Sequence, residues 1–162
     1  MVKYLGLVFI VLCGFGVGYY LSKRLKTRYD FLTAFKDFLS TLEINLRFKN
    51  TEIFSLVKLS APELMKSFFK ESREENFQLY WSDCVSGVPK SFALKNDDIS
   101  LITEFGKLLG TTDIDGQLNH INLYKELIDK NINNSSEELK SKSKLYKLLG
   151  LFAGLTIALL LL

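Results

Sequence analysis

The chain is apolar at both ends and polar between them. Residues 5–21 form one stretch without a charged side chain, and residues 148–162 form another. Because a bilayer core about 30 Å thick takes roughly 20 helical residues, this pattern predicts a transmembrane helix in residues 1–22, a second in residues 148–162, and a soluble domain in residues 23–147. A cleaved signal peptide is the alternative for the first stretch, but the basic cluster follows the apolar run instead of preceding it.

The region between the two apolar ends has the periodicity of helices. Apolar residues recur at steps of three and four, so each stripe predicts one helix with a buried face. The six stripes begin at Leu32, Ile53, Leu64, Phe77, Leu101 and Ile114. The sequence therefore predicts an all-α fold, with a compact bundle of about six helices between the membrane helices and no strand.

Short polar residues define the ends of these helices. The predicted N-caps are Asn50, Ser60 in a capping box with Glu63, Asp97, and Thr112 with Asp115, while Gly110 ends the fifth helix. Asn and Ser bond to nearby backbone and lower helix propensity. We therefore expect residues 131–136 to bend or fray the last helix without forming a domain boundary.

Basic residues cluster at the inner edges of both apolar stretches. These predicted lipid-facing collars are Lys23, Arg24, Lys26 and Arg28 after the first stretch, and Lys140, Lys142, Lys144 and Lys147 before the second. By the positive-inside rule, the central domain is cytoplasmic. Without the collars and Lys3, 12 Lys and Arg remain against 18 Asp and Glu. The collars suit anionic headgroups, whereas the acidic body would repel nucleic acid.

Both apolar stretches contain a G-x-x-x-G pattern, at Gly14 with Gly18 and at Gly150 with Gly154. Missing side chains let another membrane helix approach closely. The two pairs stand at similar depth from the basic collars, which predicts that the membrane helices pack on each other or on those of a neighbouring copy in a homo-oligomer. Glycine is also common in membrane helices without such a role.

Candidate chemistry is sparse. His120 is the only histidine, so a histidine-rich metal site is excluded, and the acids near it fit a helix N-terminus. No phosphate-binding loop, nucleophile elbow or Cys/His pair is visible. Cys13 lacks the small preceding residue of a lipidation site, and Cys84 has helical spacing from Trp81, as expected for core. We therefore expect no enzyme, no metal and no cofactor.

The order of these features resembles the stage III sporulation protein AB family of endospore-forming bacteria, nearly end to end. The most specific segment is Leu-Gly-Thr-Thr-Asp at residues 109–113, followed by Gln-Leu-Asn-His-Ile at residues 117–121. It is similar to the family's Leu-Gly-x-Ser-Asp turn followed by Gln and His. The resemblance assigns Gly110, Thr112, Asp113 and Gln117 to an interhelix turn.

The resemblance implies a component of the channel or secretion-like complex that joins mother cell and forespore. Its domain would be similar to the cytoplasmic domains of type II secretion and type IV pilus platform proteins. The implied partners are a cytoplasmic secretion-type ATPase and other membrane proteins of the complex, and the implied location is the mother cell side of the outer forespore membrane. We expect an acidic face with Glu104 and Glu126 to meet the ATPase. A membrane-anchored regulatory or sensor module unrelated to secretion is the alternative.

Overall fold

The computed structural model describes residues 2–49, 52–69 and 76–161, without the side chains of Val2 and Lys3. Every regular element in this part of the chain is helical. The α-helices are α1 (Val2–Phe48), α2 (Ile53–Ser60), α3 (Phe77–Ser86), α4 (Asn96–Leu108) and α5 (Ile114–Leu160). Short 3-10 turns occupy Glu63–Met65 and Lys90–Phe92. The predicted all-α class is confirmed.

The chain divides into two compact units. A paired-helix unit comprises residues up to Tyr29 and from Asn134 onward, and a helical body comprises Asp30–Asn133. Both long helices, α1 and α5, contribute to each unit without a break. The expected fraying of residues 131–136 is wrong, because α5 is continuous there. The two units divide within that segment, where no domain boundary was expected, and a bend stays a prediction. The predicted membrane edges at residues 22 and 148 stay a prediction.

Aromatic side chains fill the core of the helical body. The indole of Trp81 lies 5.6 Å from the ring of Phe105 and 6.2 Å from that of Phe38. Its Nε1 donates to the carbonyl oxygen of Ile102 at 2.8 Å, which satisfies the one polar group that the buried ring carries. Gly106 makes room for this ring, since a Cβ added there would collide with the indole.

The observed caps differ from the predicted ones. Asp98, not Asp97, closes the first turn of α4 by accepting from the backbone N–H of Lys95 at 2.9 Å. Asp113, not Thr112, caps α5 by accepting from the N–H of Gly116 at 3.0 Å. In each case the carboxylate that reaches the backbone donor belongs to the residue directly after the predicted cap.

The expected third helix is reduced to the turn Glu63–Met65. Ser60 does not form the predicted capping box, because it closes α2 and its hydroxyl donates to the carbonyl of Leu56 at 2.7 Å. Leu64, expected in the core, is 46% exposed. Gly110 follows α4 as predicted, with a φ of 80° that glycine adopts readily. The predicted cap Asn50 lies outside the described residues.

Candidate membrane anchor and partner-binding surfaces

The outer parts of α1 and α5 expose large apolar side chains. Leu5 is 74% exposed, Phe9 66% and Leu159 76%. Both helices contain a segment long and apolar enough to cross a membrane, and only 11% and 6% of those segments are buried within the chain. A helix that is apolar on all sides requires an apolar environment. This exposure is the structural feature that favours a membrane over a soluble core.

The two glycine pairs lie together within the paired-helix unit. A Cβ added to Gly14 would come 2.6 Å from the carbonyl oxygen of Gly150 and 2.9 Å from the Cα of Gly154. A Cβ at Gly18 would collide with the carbonyl oxygen of Tyr146. At these positions the backbones of α1 and α5 touch directly, which only residues without a side chain allow.

Polar contacts continue the same pairing of α1 with α5. The hydroxyls of Ser22 and Ser143 are 2.6 Å apart and share a hydrogen bond. Arg28, 5% exposed, donates from Nη1 to Oε2 of Glu138 at 3.1 Å. Lys142 donates to the other oxygen of the same carboxylate at 3.2 Å. Glu138 therefore neutralises cations at the base of the paired helices.

The collar residues take different environments. Lys23, Arg24, Lys26, Lys140 and Lys144 are exposed, Lys142 and Lys147 are half-buried, and Arg28 is buried. The ammonium of Lys147 lies 5.8 Å from the ring centre of Tyr19, within range of a cation–π interaction. Arg28 is engaged by Glu138 instead of being open to a headgroup. The collar thus comprises an exposed cationic set and one buried ion pair that the sequence analysis missed.

Glu104 and Glu126 are both exposed, on α4 and α5 respectively. The two helices pack through the ring of Phe105, which lies 5.3 Å from His120 and 5.5 Å from Tyr124. Burial and, to a smaller extent, the charge of Glu104 raise the pKa of Tyr124, which places that carboxylate beside α5. These contacts do not show whether a partner binds at Glu104 and Glu126, so ATPase docking there stays a prediction.

The turn predicted at residues 110–117 is held by hydrogen bonds among its own residues. Gln117 donates from Nε2 to the carbonyl oxygen of Thr112 at 2.9 Å, while Asp113 caps the helix that carries Gln117. His120, one turn later, donates from Nε2 to the carbonyl oxygen of Phe105 at 2.9 Å. These contacts fix the turn against α4 and occupy that nitrogen of the histidine. No group of three potential metal ligands occurs in the described part of the chain.

An ion-pair cluster joins α1 to α5 on the surface of the helical body. Glu43 accepts from Arg47 at 2.9 Å and from Lys125 at 3.0 Å. These hydrogen bonds, that from Arg47 foremost, lower the pKa of the Glu43 carboxyl. Two cations therefore share one carboxylate at this point of the body surface.

The chain has clear relatives. A family model described as stage III sporulation protein AB matches residues 3–162. The chain is also similar to stage III sporulation protein AB of Bacillus subtilis (strain 168), with 25% identity over 170 residues that cover 99% of each chain. No solved structure matches the chain.

Proposed function

Because the chain belongs to the stage III sporulation protein AB family, we propose that it is a non-enzymatic platform or adaptor of a sporulation channel or secretion-like complex between mother cell and forespore. It is anchored by two membrane helices, lies beside other membrane proteins of that complex, and docks a cytoplasmic secretion-type ATPase. The family match confirms the resemblance that the sequence predicts and gives the chain a role in sporulation.

The observation that carries the proposal is the continuity of α1 and α5. Each helix combines an exposed apolar segment with a segment that builds the packed core of the body. An uninterrupted helix is stiffer than a flexible linker. That property suits a part that holds a motor in place better than one that only tethers a catalyst.

The basic collars support a cytoplasmic orientation of the body. Exposed lysines and arginines follow the first apolar segment and precede the second, as the positive-inside rule requires of a cytoplasmic domain. In a sporulating cell this orientation corresponds to the mother cell side of the outer forespore membrane. In cells that are not sporulating, where the chain would lie in the plasma membrane, modification of an exposed body residue by a membrane-impermeant reagent only after lysis would agree with this orientation, and modification of intact cells would contradict it.

The proposed ATPase surface includes Glu104 and Glu126. Residues 30–133 carry 12 Lys and Arg against 16 Asp and Glu, and charge complementarity mainly sets the rate of encounter with a basic surface. With the full chain in nanodiscs, Glu104→Lys combined with Glu126→Lys should slow ATPase association about tenfold at low salt. The control, Asp37→Lys with Glu63→Lys, makes the same change of net charge elsewhere. Equal effects of the two double variants, or no effect of either, would exclude this surface.

A further inference from the structure

A cavity of about 930 Å³ opens at the end of the helical body where α1 stops. Its walls come from the last turn of α1, the start of α2, the start of α3 and the turn that leads into α5. The apolar walls are formed by Leu46, Ile53, Phe54, Phe77, Leu109 and Ile114. Its size lies within the range of sites that enclose a ligand or several side chains.

Apolar surface extends from this cavity onto its rim. Phe48 lines the opening and is 81% exposed, and Ile114 on the opposite wall is 55% exposed. An exposed phenylalanine beside a concave site of mixed polar and apolar lining is typical of protein interfaces, where aromatic residues carry much of the binding energy. A small molecule confined to the cavity would leave Phe48 uncovered, whereas a peptide segment would cover it.

One polar atom of the lining is left without a partner. The Oε1 of Gln117 is buried and has no donor within hydrogen-bond reach in the described structure, while its Nε2 is used by Thr112. A buried acceptor without a donor costs about 1–3 kcal/mol. Because this oxygen is also closed to solvent, an occupant of the cavity does not reach it and must be recognised by the other lining groups.

The charges at the opening favour an acidic occupant. Two cations, Arg47 and Lys49, and one acid, Glu52, line the cavity. Arg47 already shares Glu43 with Lys125, so this carboxylate does not fully compensate the cations around it.

We propose that this cavity binds a peptide segment of a protein partner, in which an apolar side chain is flanked by carboxylates. The apolar side chain fills the space between Ile53 and Ile114 and packs on Phe48. A carboxylate of the segment pairs with Lys49. The site is separate from the acidic surface proposed for the ATPase, so the two proposals stand or fall independently.

The test is selection of random 12-residue peptides displayed on phage against the full chain in nanodiscs. Enriched peptides should share an aromatic or leucine residue next to Asp or Glu. Their affinity should fall at least tenfold for Lys49→Glu and for Phe48→Ser, and be unchanged for the control Lys90→Glu. Exchanging the peptide carboxylate for lysine should restore binding to Lys49→Glu. No enrichment, a consensus without acids, or equal binding to Phe48→Ser would overturn the proposal.

Discussion

Replacing Gly14 by alanine tests the contact between the two apolar helices. The added Cβ would lie 2.6 Å from the carbonyl oxygen of Gly150, whereas non-bonded heavy atoms prefer about 3.5 Å. Each close neighbour is backbone, so no side chain can rotate away, and the helices must separate by about 1 Å. A gap of that size forfeits up to about half of each atomic attraction across the interface.

Gly16 offers a matched control on the same helix, because a Cβ there meets nothing within 4 Å. Both substitutions gain up to about 1 kcal/mol of helix propensity, so their difference isolates the packing. We expect Gly14→Ala to be less stable than Gly16→Ala by about 1–3 kcal/mol, the usual cost of overpacking. Steric trapping of helix separation in bicelles measures this difference. Stabilities within about 0.5 kcal/mol of each other would refute the close backbone contact.

Three further substitutions test the body and the base of the paired helices. Asp98→Ala should lower the unfolding free energy in denaturant titrations by about 1–3 kcal/mol, because loss of this fully buried carboxylate leaves its hydrogen-bond donors without an acceptor. The control Asp97→Ala, at an exposed residue, should lower it by less than about 1 kcal/mol. Arg28→Met should cost about 1–3 kcal/mol because it removes the buried partner of Glu138, which keeps its contact with Lys142. Adding Glu138→Met should recover part of that loss, and a double variant no better than the single one would contradict this. The pKa of Glu43 is lowered by folding, so its stabilisation is present above its unfolded pKa of about 4.3 and is lost as the pH falls through its folded value. The stability gap to Glu43→Gln should therefore shrink between pH 6 and pH 3, and a gap independent of pH would exclude the ion pair as its cause.

The sequence was sufficient where local periodicity determines structure. The stripe from Leu32 to Leu46 is buried along α1, because spacing alone decides which face of a helix is apolar. It was insufficient where a distant residue decides the outcome. Asn131 was expected to weaken α5, yet its side-chain amide donates to the buried carboxylate of Asp98 at 2.9 Å. A tertiary hydrogen bond of this kind outweighs a propensity difference of a few tenths of a kcal/mol.

The ion pair of Arg28 with Glu138 is predictable from the sequence once the two apolar helices are paired. Packing of the glycine pairs implies antiparallel helices, in which Gly18 lies beside Tyr146. Arg28 lies ten residues after Gly18, and Glu138 lies eight residues before Tyr146. In an antiparallel pair these opposite charges therefore lie at nearly the same height along the two helices. By contrast, nothing in the local sequence marks Gly106 as the space for Trp81, because that requirement depends on how two helices cross. The cavity beside Phe48 depends in the same way on the assembled body.

The proposed function requires this chain to hold a secretion-type ATPase at a membrane. Flotation of the purified ATPase with liposomes tests it directly, using liposomes that contain the full chain and matched liposomes without protein. The ATPase should float only with the chain-containing liposomes, and Glu104→Lys with Glu126→Lys should reduce the floating fraction. Equal flotation with both kinds of liposome, or none with either, would contradict it.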